Sequence, residues 1–176
     1  HLVYDILAKA VNDSDFILEK VLPKSPTSLK PYLSYLYEAG DHESAQKAWQ
    51  KRDSFAYKPD RAETLRHIEF LISRAELNEA FLIWKERLQE EGLSISYDGN
   101  LVTDGGFEKE KLLGGGFDWK IEKVPGVEIS FDPSMTFEGK RSLKIVFNGK
   151  ENVDFYQVYQ LVPLKPNTEY VLKAHM

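Results

Sequence analysis

The sequence predicts an α+β protein of two domains, an antiparallel helical-hairpin array over residues 1–92 and an incomplete antiparallel β-sandwich over 93–176. Three observations predict it. Apolar residues recur at helical spacing as far as Gly92. Within that stretch a pattern returns at an offset of 35 residues. Beyond a glycine-rich segment, short alternating runs bounded by turn residues take over.

The helical half begins with Leu2–Val11, which reads as a helix already under way, and continues with a short run near Asp15–Leu22. Leu29, Leu33, Leu36 and Tyr37 form one apolar stripe, and Leu65, Ile68, Leu71, Ile72 and Ala75 form another. Gly40 suits the left-handed end of a helix and Asp41 the cap of the next. Asp60 with Glu63 forms a capping box behind Pro59, and Gly92 closes the last helix.

The repeat pairs Ala45, Trp49 and Arg52 with Ala80, Trp84 and Arg87, and Leu33, Leu36 and Gly40 with Ile68, Leu71 and Ala75. A small residue four before a large aromatic lets two helices approach while the ring fills the groove beyond. The two tryptophans therefore read as core. The pattern resembles the tetratricopeptide repeat in degenerate form. Gly40, Ala45, Trp49 and Pro59 fit it, whereas Leu33 replaces the usual glycine and Arg52 and Arg87 the usual alanine. The resemblance implies two to three hairpins that hold a protein partner. His42 and His67 lack a second ligand at metal spacing, and Asn12 opens a formal glycosylation triplet.

The segment "LVTDGGFEKEKLLGGGFDWKI" holds five of the 11 glycines. It is no phosphate loop, since no Lys-Ser/Thr follows Gly116 and no helix pattern stands behind it. It is no flexible linker, since Leu101, Val102, Phe107, Leu112, Leu113, Phe117 and Trp119 fill it. It reads as a folded, turn-rich entry to the second domain, with the boundary near Gly92–Asn100. Strands are expected over Phe117–Ile121, Val127–Asp132, Leu143–Phe147, Phe155–Val162 and Thr168–Ala174.

Gly106-Phe107-Glu108, Gly139, Ser142-Leu143-Lys144, Gln160, Pro166, Thr168 and Tyr170 stand in the order found in β-sandwich carbohydrate-binding modules of the family 4/9 type. This part of the chain resembles that galactose-binding-like, jelly-roll group. The resemblance implies a glycan-binding surface using Trp119, Tyr156, Gln157 and Tyr159, with aromatic faces for sugar C–H groups and an amide for hydroxyls. It also implies a structural calcium held through Glu108, with Asp132 and Gly139 on the facing loop. Two further expectations go with it: that the chain is a fragment, and that calcium belongs to the longer parent because a further ligand lies beyond Met176. A bacterial, extracytoplasmic setting at the periplasm or cell surface is likewise implied only by resemblance.

Composition bounds the partners. The net charge of -5 argues against nucleic acid, whose phosphates demand a basic surface. No apolar run is long enough to span a bilayer, so membrane attachment is expected only through regions outside this sequence. With no cysteine, thiolate metal sites and disulfides are excluded. No nucleophile triad or zinc-protease motif occurs, and no cofactor is expected in this chain. Glu108, Asp118, Asp132 and Glu138 are the carboxylates that a glycosidase reading would need. The expected function is non-catalytic: a scaffold whose helices bind protein and whose sandwich binds glycan. The alternatives are a pure protein-interaction scaffold in which the sandwich caps the helices, and an accessory part of a glycan-processing enzyme.

Overall fold

A computed structural model describes residues 4, 6, 11, 13–93, 100–109 and 111–175. The mixed α+β class is seen: five α-helices and two small antiparallel sheets among the described residues. The expected helix over Leu2–Val11, the Asn12 triplet and the handover at Gly92–Asn100 fall largely outside those residues. The chain divides into two compact units, His1–Glu63 and Thr64–Met176.

In the first unit, α1 (Ser14–Phe16) is capped by Asp13, whose Oδ1 accepts from the Asp15 and Phe16 amides. It runs into one widened turn, Ile17–Val21, which buries Ile17 and Leu18. Helix α2 (Pro26–Ala39) opens on a proline, tolerated where the missing N–H has no helical partner, and buries Leu29, Tyr32, Leu33 and Leu36 on one face. Helix α3 (His42–Gln50) starts at Asp41, whose Oδ1 accepts from Ser44 N at 3.1 Å, and buries Ala45, Ala48 and Trp49. A 3-10 turn, Arg52–Phe55, completes this core with Phe55. Arg52 lies over the Trp49 ring at 5.3 Å and donates to the Trp49 carbonyl. Helix α4 (Arg61–Ser73) opens with the expected reciprocal box. Glu63 N donates to Asp60 Oδ1, Asp60 N donates to Glu63 Oε2, both at 2.9 Å, and Lys30 pairs with Glu63.

The second unit holds most of α4, then α5 (Leu77–Glu90). The turns after α2 and α4 match at the 35-residue offset. Gly40 and Ala75 both take left-handed conformations, at φ 67 and 62. Asp41 N donates to Leu36 O, and Glu76 N to Leu71 O, each at 3.0 Å. An alanine held at positive φ costs conformational energy that glycine avoids, so the second turn reproduces the first with a less suitable residue.

Strand β1 (Lys120–Ile121) pairs with β4 (Val158–Tyr159), and β2 (Val127–Asp132) pairs with β3 (Ser142–Phe147) from Val127↔Phe147 to Asp132↔Ser142. The β2 and β3 segments match the sequence expectation closely. The expected strand at 117–121 shrinks to two residues because Asp118 turns inward to bond the loop before it. The expected strand at 155–162 also shrinks to two, because the Gln160 side chain, not its backbone, makes the bonds to Thr103. Residues 168–174 form no ladder in this structure. None of the strand residues is buried.

Candidate functional site

The glycine-rich segment is the apolar cover of the α4–α5 hairpin. Leu112, Leu113 and Phe117 share one buried cluster with Ile68, Leu71, Ala80, Trp84 and Leu88. Phe117 meets Trp84 edge-on at 5.8 Å and Phe81 at 5.0 Å. Three polar ties fix it. Trp84 Nε1 donates to Gly115 O at 3.2 Å, and Gly116 N donates to Glu69 Oε1 at 2.8 Å. The buried Asp118 carboxylate accepts from the amides of Leu112, Leu113 and Gly114. Such a ring of amides compensates a buried carboxylate for its lost water. Gly116 is required twice over: its φ is +64, and a Cβ there would stand 2.8 Å from Trp84 Cδ1.

Behind this cover lies a second knot. Thr103, 1% exposed, donates its amide to Gln160 Oε1, while Gln160 Nε2 donates to Thr103 O, both at 2.9 Å. A side-chain amide thus reproduces one rung of a strand ladder. Thr103 Oγ1 donates to Phe117 O at 3.1 Å, which links the knot to the helical core.

The residues predicted from the resemblance fall into separate places. Trp119 is half-buried; its Nε1 donates to Asp104 O at 3.1 Å and its ring lies 4.7 Å from Phe107. Gln157 is buried, and its Oε1 accepts from Tyr156 N at 2.9 Å. Tyr156 is 67% exposed and Tyr159 41% exposed. The Tyr159 hydroxyl donates to Glu122 Oε1 at 3.2 Å, and partial burial followed by that neighbouring carboxylate pushes its pKa up. Two aromatics therefore face solvent, while the Trp119 and Gln157 polar groups are engaged by the fold.

Glu108 and Gly139 do come together. Glu108 Oε1 accepts from Lys140 N at 2.8 Å, and a Cβ on Gly139 would run into that carboxylate. Asp132 is directed elsewhere. Its Oδ1 accepts from the Ser134 hydroxyl and, at 2.8 Å, the Ser134 amide, and Lys144 Nζ sits 3.2 Å from Oδ2. The Ser134 hydroxyl first, then the Ser134 amide and Lys144, hold its pKa down to about 2. Proton donors and an ammonium thus meet Glu108 Oε1 and both Asp132 carboxylate oxygens, three of the oxygens that calcium would draw on. Among the described residues no cluster of three His, Asp or Glu side chains could hold a metal.

Sequence reasoning reads Asp104 only as a departure from the Asn-Gly of the resembled modules and gives no role to Arg141, yet both organise the loop around Glu108. The Asp104 carboxylate accepts from the Glu108 and Lys109 amides, each at 3.0 Å. Burial raises its pKa, against the pull of those amides and of Arg141. Arg141 caps the Phe131 ring at 4.2 Å and donates to Phe107 O. Local spacing marks neither: the Asp104 bonds run to amides four and five residues on, beyond the reach of an Asx turn, and Arg141 meets Phe107 O from 34 residues away.

No protein-family model, curated protein or solved structure matches the chain.

Proposed function

We propose that the chain is a non-catalytic binding scaffold, with degenerate tetratricopeptide-like hairpins that engage a protein segment and a strand-bearing half that closes the last hairpin. One observation carries this reading: Leu112, Leu113 and Phe117 bury themselves in the core of the α4–α5 hairpin. The end of a helical array leaves an apolar face that needs a cover, and this segment supplies one. Carboxylate use supports the non-catalytic part. Asp118 is committed to three loop amides, Asp132 to Ser134 and Lys144, and Glu108 to Lys140 N. A glycosidase needs two carboxylates free to reach one bond.

The exposure of Tyr156 and Tyr159 favours a second reading, in which the strand-bearing half also stacks a saccharide. One experiment separates the two. Peptide-display selection and a glycan array are run on the same full chain, and amide exchange maps whatever binds. The scaffold reading expects enriched peptides that protect helical amides between Pro26 and Glu90, with no glycan retained. A retained glycan that protects residues around Tyr156 and is lost in Tyr156→Ala would replace it with the second reading. Failure of both selections would overturn the proposal.

A further inference from the structure

The chain contains one Asn-Gly step, Asn148-Gly149, at the exposed turn after β3. Asn148 N donates to Gly126 O at 2.9 Å, the last bond of the β2–β3 ladder. The chain is then unconfined. Gly149 has φ +73, and nothing stands within 4 Å of where its Cβ would be. Among the described residues no hydrogen bond occupies the Gly149 N–H. Asn148 Oδ1 accepts from Lys150 N at 2.9 Å. The ring closed by that bond contains Gly149 N, so the side-chain carbonyl carbon is kept close to that nitrogen.

We infer that Asn148 is a site of spontaneous deamidation, which converts the turn to an aspartyl or isoaspartyl link and loosens the end of the β2–β3 ladder. Solvent base takes the proton from Gly149 N, and this nitrogen forms a bond to Asn148 Cγ. As charge develops on Oδ1, the Lys150 amide already donates to it, in the manner of an oxyanion donor. The Cγ–Nδ2 bond then breaks, and Nδ2 leaves as ammonia with a proton from solvent. Water adds to either carbonyl of the resulting succinimide and opens it to aspartate or isoaspartate. The sum is asparagine plus water giving an acid plus ammonia, with no oxidant or reductant.

The other described asparagines lack this combination. Asn78 lies within α5, and Asn100, Asn152 and Asn167 precede Leu, Val and Thr, whose side chains obstruct the attacking nitrogen. Either product adds a negative charge three residues before Glu151, whose carboxylate lies 2.7 Å from where a Cβ on Gly126 would stand. Isoaspartate also lengthens the main chain by one carbon immediately after the ladder's last bond.

The test is to age the full chain at mildly alkaline pH, folded and in urea, with peptide mapping by mass and enzymatic methylation of isoaspartate. Conversion is expected at Asn148 before any other asparagine, by about tenfold in rate. It should run at least as fast folded as unfolded, and fall away in Asn148→Gln and in Gly149→Ala. Faster amide exchange at Asn148, whose N–H donates to Gly126 O, should accompany it in the aged chain. Slower conversion in the folded chain than in urea would overturn the inference, because the geometry would then be protecting the step.

Discussion

The indole N–H of Trp84 donates to the carbonyl of Gly115, 31 residues further along the chain. The bond is buried and lies where Gly116 brings the backbone against the indole ring. A helix residue and a glycine-rich segment are thereby parts of one core. The proposed scaffold role rests on that relationship.

Gly116→Ala should destabilise the chain by roughly 2–4 kcal/mol, from a strained positive φ and an overpacked Trp84. Gly114→Ala is the control. Gly114 has φ +89, but nothing lies within 4 Å of its Cβ position, so only the backbone term of about 1 kcal/mol applies. Urea unfolding of both variants gives the comparison, and equal losses would contradict the close approach.

Trp84→Phe keeps a ring in the cluster but leaves Gly115 O without its donor, at a cost of about 1–3 kcal/mol. Trp84→Ala should cost about 3–5 kcal/mol, because the indole is fully buried among Ile68, Leu71 and Phe117. Trp49→Ala belongs in the same range, since Trp49 is 4% exposed. Thermal unfolding read by far-ultraviolet circular dichroism ranks the three.

Asp118→Asn should destabilise by roughly 1–3 kcal/mol. One carboxylate oxygen that accepts amide protons becomes an NH2 that faces them. An unchanged unfolding temperature by calorimetry would contradict the three amide bonds as a source of stability.

Two carboxylates predict the acid limb of stability. Asp132 is held at about 2, below its ordinary 3.8, and Glu63 is also lowered. For Glu63 burial opposes the shift, and Lys30 and the Asp60 amide outweigh it. A depressed folded pKa contributes stability above the unfolded value, which is lost as pH falls through the folded one. Urea midpoints should therefore fall between about pH 4 and 2. Asp132→Asn should flatten that fall; an unchanged slope would contradict the Ser134 and Lys144 assignment.

How much of this was legible in the sequence differs by element. Gly40, Asp41, the Asp60–Glu63 box and the spacing of Trp49 and Trp84 are local signals, and the structure places caps, turns and buried rings there. Val127–Asp132 and Ser142–Phe147 follow from alternation and turn residues. The segment around Gly116 reads as folded, yet its partners Glu69 and Trp84 lie far away in sequence, and spacing carries no record of them. The run at Phe155–Val162 misleads because its glutamines do backbone-like work: Gln160 bonds Thr103 and buried Gln157 interrupts the alternation. Trp119 is a candidate sugar platform only by the resemblance, and packing is the first expectation for any one of these aromatics. Only the tertiary contact with Asp104 O and Phe107 shows its indole used inside the fold.

Native-state amide exchange on the full chain reads directly whether residues 112–116 and the α4–α5 hairpin open as one unit. If the glycine-rich segment is part of the hairpin core, the amides of Leu112, Gly114 and Gly116, bonded to Asp118 and Glu69, should open with the same free energy as Leu71 and Trp84 in α4 and α5. Gly116→Ala should lower both sets together. Loop-like exchange over residues 112–116 beside protected helices would contradict the claim.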